Sequence, residues 1–127
     1  MPAKSAKDLT VLQKAHSLAM KIYEVSKRFP TEEKYSLASQ IRRSSRSICL
    51  NLREAWAKRP YEAHFLSKLS DCDGENSETD SSLDFAKDCG YFNAETHREL
   101  VALNVEVGKM LGSMLNNPGP FFLTPDS

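Results

Sequence analysis

The chain has no run of apolar residues near the ~18 needed to cross a bilayer, and its opening segment, MPAKSAKDLT, lacks the apolar stretch of a signal peptide. These absences predict a cytoplasmic protein that makes no membrane contact. Three cysteines, Cys49, Cys72 and Cys89, are an odd number without CxxC spacing, which argues against a disulfide framework and predicts reduced, half-buried thiols on helices. Glycine is scarce, five in 127 residues, and no P-loop, GxGxxG, GxSxG or HExxH motif is present. Phosphate cradles, nucleophile elbows and zincin sites therefore have no sequence basis. The histidines and cysteines nowhere stand at i and i+3 or i+4 to one another, as adjacent metal ligands on one helix would. No metal, no other cofactor and no catalytic residue is assigned, and the chain reads as a non-enzyme.

What is present is helical patterning. Prolines at 2, 30, 60, 118, 120 and 125 leave three long proline-free stretches, where helices belong. Leu12, Ala15, Ala19, Ile22, Ser26 and Phe29 recur at alternating spacings of three and four, the seam of a helix packed against others. Pro30 ends that helix, and Thr31 is the expected cap of the next, with Glu32 and Glu33 in its electropositive first turn. The second seam is Ala38, Ile41, Ser45, Ile48, Leu52 and Ala55; the third is Phe65, Leu69, Cys72, Asn76, Thr79, Leu83 and Ala86. Pro60 suits the start of helix three, Gly90 suits a left-handed C-cap, and Asn93 suits the cap of a fourth helix with seam Leu100, Leu103, Val107, Met110 and Met114. The prediction is one domain over residues 1–127 with helices at roughly 8–29, 32–58, 61–89 and 93–116 and a flexible tail, 117–127, whose Phe121 and Phe122 are candidates to dock on a neighbouring surface. Four amphipathic helices with short connections make an all-α, antiparallel up-down-up-down four-helix bundle.

The run SDCDGENSETD holds five acidic residues, Asp71, Asp73, Glu75, Glu78 and Asp80. It fails as a calcium loop: counted from Asp71, glycine stands fourth instead of sixth and Ser82 occupies the place of the closing glutamate. Paired catalytic carboxylates would need a cleft that separates their pKa values, whereas Asp71, Glu75 and Glu78 form one helix stripe, more characteristic of a solvated or ion-paired face. Asn76 and Thr79 fall inside the core seam, where a polar group lowers stability but specifies register or assembly. On that reading Asn76→Leu keeps or raises thermal stability. Gly74 in mid-helix costs about 1 kcal/mol against alanine, a cost that is bearable where another backbone approaches closely.

Overall neutrality, 17 Lys and Arg against 17 Asp and Glu, hides a division. Residues 1–61 carry 13 basic and 5 acidic side chains, a net of +8, and residues 62–127 carry 4 and 12, a net of −8. Arg42, Arg46 and Arg53 share a stripe of helix two with Arg43 beside them. That stripe either pairs with Asp71, Glu75 and Glu78 or presents cations to phosphate. Lys58 and Arg59 continue the positive charge to the helix end.

The segments F-P-x-E-E-x-Y-x-L (Phe29 to Leu37), Q-I-R-R-S-S-R-S-I (Gln40 to Ile48), E-A-W-x-K-R (Glu54 to Arg59) and E-N-S-E-T (Glu75 to Thr79) resemble the bacterial four-helix-bundle proteins encoded in intervening sequences of large-subunit ribosomal RNA genes. The superfamily includes the accessory variability determinant of diversity-generating retroelements. The resemblance spans roughly residues 9–117. Where the better-known branch has A-E-G-x-G-R, this chain has Arg53, Glu54, Ala55 and Trp56, which resembles a sister branch. The resemblance implies a protomer of a homopentameric ring and, through the retroelement member, an association with RNA or DNA and a reverse transcriptase. Two functions compete. One is an oligomeric adaptor that meets nucleic acid, or an enzyme acting on it, through Arg42, Arg43, Arg46, Arg53, Lys58 and Arg59. The other is a structural or protein-interaction assembly without nucleic acid, with Trp56, Tyr61, Phe65 and Asn76 as oligomer or partner contacts.

Overall fold

In a computed structural model that describes residues 3–123, four helices follow one another: α1 (Thr10–Ser26), α2 (Leu37–Ala57), α3 (Glu62–Asp88) and α4 (Ala94–Asn116). Single 3-10 turns lie at Ala6–Asp8, Thr31–Glu33 and Gly119–Phe121, and the described residues contain no strand. Cross-helix contacts fix the directions. Ser44 meets Thr79, Cys72 meets Ile48 and Lys68 meets Glu54, so α2 and α3 run antiparallel. The same descending order relates α3 to α4 through Asn76–Asn104 and Asp84–His97, and α4 to α1 through Glu106–Lys14 and Glu99–Lys21. The interface between α2 and α3 is the most extensive of the four.

The helix ends follow local chemistry. At the end of α3, Gly90 adopts φ 77°, and the Tyr91 and Gly90 N–H groups donate to the carbonyls of Ala86 and Lys87, which closes a Schellman motif. Asn93 caps α4 by accepting from the Thr96 N–H at 2.8 Å. The start of α2 departs from expectation. Thr31 opens a separate 3-10 turn, and α2 begins at Leu37, because the Glu33 carboxylate reaches forward to the Leu37 N–H at 3.3 Å and takes the capping role. The Ser36 and Tyr91 hydroxyls also donate to Glu33. The bonds from Ser36, Tyr91 and Leu37, in that order, hold the Glu33 carboxyl below the ordinary 4.5, and the bond to Glu33 pushes the Tyr91 phenol upward. A depressed carboxylate stabilises the fold above that ordinary value and loses its contribution as pH falls through the lower folded one.

Every residue of the first three seams is buried. On α4 the buried row is Leu100, Asn104, Val107, Leu111 and Met114, and the expected Leu103 and Met110 are only half-buried. The apolar core divides into two clusters. One contains Leu12, Ile48, Leu52, Phe65, Leu69 and Leu111; the other contains Leu18, Ile22, Phe29, Ile41, Leu83 and Leu100. Between them runs a buried polar belt of Ser44, Ser45, Asn76, Thr79 and Asn104. Asn104 Nδ2 donates to the Asn76 carbonyl and to Asn76 Oδ1, at 3.1 and 3.0 Å, and Asn76 Nδ2 donates back to the Asn104 carbonyl at 3.1 Å. The Thr79 hydroxyl donates to the Glu75 carbonyl at 2.9 Å, leaving Ser44 to donate to Thr79 at 2.8 Å. Among the described residues no buried side-chain nitrogen or oxygen lacks a partner, so the belt avoids the cost of an unmade hydrogen bond.

Two glycines respond to this packing in opposite ways. Gly74 has nothing within 4 Å of the place a Cβ would occupy, so no backbone approaches it closely. Gly74→Ala should stabilise the protein by about 0.5–1 kcal/mol through the helical preference of alanine, read as a higher urea midpoint at unchanged slope. At Gly108 a Cβ would stand 3.0 Å from Asn76 Nδ2, an atom already held by Asn104. Gly108→Ala should therefore lower the midpoint, and a gain there would show that the asparagine pair is free to shift.

The chain beyond α4 is also more ordered than an unpatterned tail. Phe121 stacks on Phe65 at 6.1 Å, Phe122 meets it edge-on at 5.6 Å, and the Leu123 N–H donates to the Arg59 carbonyl at 3.1 Å. Residues 124–127, also counted in the expected tail, lie outside the described residues. Among the described residues no helix is long and apolar enough to cross a membrane.

Candidate nucleic-acid interface

Burial of Ile41, Ser44, Ser45, Ile48 and Leu52 turns the remaining faces of α2 outward, and its arginines fall on different flanks. Arg43 lies toward α3. It contacts Glu78 at 2.6 Å and Glu75 at 3.3 Å. Those carboxylates, Glu78 first, raise the guanidinium pKa, while Arg43 holds the Glu78 carboxyl below its ordinary range. Arg43 and Glu78 are exposed and Glu75 is half-buried, so each pair is worth at most about 1 kcal/mol. The expected pairing of the stripe with helix three thus exists, but through Arg43 in place of Arg42 and Arg46. Asp71, the third expected partner, lies 3.9 Å from Lys68, which is held more closely by Glu54 at 2.7 Å. Among the described residues no three His, Cys, Asp or Glu side chains converge as a metal site would require.

Arg42 and Arg46 lie toward α1 and stack on the Tyr23 ring, their guanidinium carbons 5.1 and 5.7 Å from its centroid. Arg42 Nε donates to Ser26 Oγ at 2.7 Å. Among the described residues neither arginine has a carboxylate within 4.0 Å and the terminal nitrogens of both lack hydrogen-bond acceptors. A guanidinium held by its Nε edge and one face keeps its donor fork available for a phosphate or carboxylate. The two arginines border an open groove of about 490 Å³ with Lys34, Tyr35, Ser39, Ser47 and the exposed Leu50, and Arg43 also reaches its edge. Tyr35 is 87 % exposed, and Lys34 Nζ stands 5.3 Å from the centre of its ring.

The other expected contact residues scatter. Arg53 lines an adjoining groove of about 560 Å³ with Lys7, Leu12, His16 and Cys49, divided from the first by Leu50, which lines both. Lys58 is exposed at the end of α2. Arg59 is committed within the chain: its guanidinium lies 3.5 Å from the centre of the Trp56 ring, its Nε donates to the Trp56 carbonyl at 2.9 Å, and burial lowers its pKa. Trp56 is half-buried against the core, whereas Tyr61 is 60 % exposed. Phe65 and Asn76, expected at a partner surface, are 1 % and 6 % exposed. Phe65 is enclosed by the returning tail and Asn76 by Asn104, so both serve the core of the bundle. Burial pushes the Cys49 and Cys72 thiols up to about 11 and about 12, which leaves them protonated and poor nucleophiles at neutral pH.

The sequence pattern marks Ser26 only as a seam residue and gives no role to Tyr23, Tyr35 or Asn104. Tyr35 stood inside the F-P-x-E-E-x-Y-x-L segment and Asn104 stood beside Leu103; for Tyr23 and Ser26 the signal is the proximity of α1 to Arg42, which is not visible along the chain.

Comparison with known proteins agrees with this architecture. Residues 7–113 match the family model described as 23S rRNA-intervening sequence protein. A crystal structure of a protein of unknown function from the S23 ribosomal protein family of Bacteroides thetaiotaomicron is similar, with 28 % sequence identity and a TM-score of 0.77 over 85 % of this chain and 100 % of that one. No curated protein matches the chain.

Proposed function

This chain belongs to the 23S rRNA-intervening sequence protein family, and from that premise we propose that it is a non-enzymatic, self-associating adaptor whose α1–α2 face engages nucleic acid. The observation that carries the reading is the division among the arginines of α2. Arg43 is neutralised by α3, whereas Arg42 and Arg46, stacked on Tyr23 beside the exposed Tyr35, have no carboxylate partner among the described residues. Unpaired cations of this kind bind phosphate and release its counterions. The family resemblance adds a ring of five protomers and a reverse transcriptase as partner.

Two measurements test this proposal. Light scattering after gel filtration should return five times the 14.3 kDa chain mass; a monomer at micromolar concentration removes the ring. At ~50 mM salt, where phosphate contacts are strongest, the protein should bind structured RNA or single-stranded DNA. Arg42→Gln with Arg46→Gln should preserve the fold and flatten the salt dependence by roughly one unit of slope per lost contact. An assembly that binds no nucleic acid would favour the second reading, a protein-only scaffold, for which the exposed Tyr61 beside the Trp56–Arg59 stack is the natural contact.

A further inference from the structure

We infer that the groove along α2 takes a single-stranded nucleic acid, with one base stacked on Tyr35 and the adjoining phosphates held by Arg42 and Arg46. This rests on the nucleic-acid reading above and names the strand state that the surface selects. Tyr35 belongs to neither apolar cluster and stands in the turn before α2 with 87 % of its surface exposed. Its position therefore owes nothing to the core, and an aromatic face beside a cationic groove is what an unstacked base recognises. Lys34 Nζ, 5.3 Å from the ring centre, adds positive charge at the same place.

The arginines supply the rest of the track. Arg42 and Arg46 are one helical turn apart, a rise of about 6 Å, and stacking on the shared Tyr23 ring restricts both before any ligand arrives. That restriction lowers the entropy lost on binding. Ser39 and Ser47 line the same groove and add hydroxyls for the sugar-phosphate backbone. A duplex would use the cations but would leave Tyr35 idle, because its bases are already stacked on one another. The preference for a single strand therefore resides in Tyr35 and the affinity common to both forms in Arg42 and Arg46.

The test uses the full chain in its native assembly with fluorescein-labelled oligonucleotides of about twelve nucleotides, within the range of single-strand site sizes. RNA and DNA single strands and the matching duplexes are compared by anisotropy at one salt concentration. The single strands should bind about tenfold or more tightly than the duplexes. Tyr35→Ala should weaken single-strand binding by about tenfold or more and leave duplex binding unchanged, while Tyr35→Phe should retain single-strand affinity to within about twofold, since the ring and not the hydroxyl stacks. Circular dichroism of the variants should match the parent, as Tyr35 is outside the core. If Arg42→Gln with Arg46→Gln abolishes binding and Tyr35→Ala changes nothing, the stacking inference is overturned and the nucleic-acid reading survives. A duplex preference also overturns it, and if the parent binds neither form both readings fall together.

Discussion

Asn104→Ala should destabilise the bundle by about 2–3 kcal/mol, because it strips the partner from a buried polar group instead of removing a balanced pair. Asn76 Oδ1 accepts from Asn104 Nδ2 at 3.0 Å, and in the variant that oxygen would face a cavity between the two apolar clusters. Asn76→Ala should cost less, about 1–2 kcal/mol, since Asn104 Nδ2 loses Asn76 Oδ1 but keeps the Asn76 main-chain carbonyl. The double variant should cost less than the sum of the two, with a coupling of about 1 kcal/mol or more. Urea unfolding at one fixed protomer concentration provides the comparison, since self-association would otherwise change the apparent stability. Additive single effects would show that the pair is not a unit. This reverses the direction expected for Asn76 from sequence: a leucine at that position would leave Asn104 Nδ2 only the Asn76 main-chain carbonyl as acceptor and put an apolar chain in the polar belt, so Asn76→Leu should destabilise the fold.

Phe65→Ala should have the larger effect, about 3–5 kcal/mol. The ring is 1 % exposed in the first apolar cluster, and it is also the surface on which Phe121 and Phe122 rest. Its loss creates a cavity and detaches the segment after α4. Thermal unfolding should shift down by several degrees for each kcal/mol, and proteolysis after α4 should accelerate at temperatures where the bundle itself remains folded. A loss under about 1 kcal/mol would mean that Phe121 moves inward to fill the vacated space.

These two predictions mark where local information ended. Helical periodicity places the buried rows of α1, α2 and α3 correctly because each row depends only on which residues recur on one face of its own helix. The same holds for Gly90 and Asn93, whose roles are settled within a few residues by a left-handed turn and a side-chain acceptor. On α4, two adjacent rows compete, Leu103 with Met110 and Asn104 with Leu111. Apolarity favours the first. The fold buries the second because Asn76 arrives from α3 with an amide that Asn104 satisfies, and an exchange of hydrogen bonds between helices has no signature along either one.

The charged surface divides in the same way. The sequence by itself determines that α2 carries a basic face and α3 an acidic one, because the i, i+3 and i+4 spacing of like charges depends only on helical geometry. Which arginine meets which acid is decided by the rotation of α2 against α3, set in turn by the buried Ser44–Thr79 contact and the seam around it. That rotation brings Arg43 to Glu75 and Glu78 and turns Arg42 and Arg46 toward Tyr23 on α1. The candidate interface is thus a tertiary product: its cations are written in one helix, but their availability follows from the packing of three.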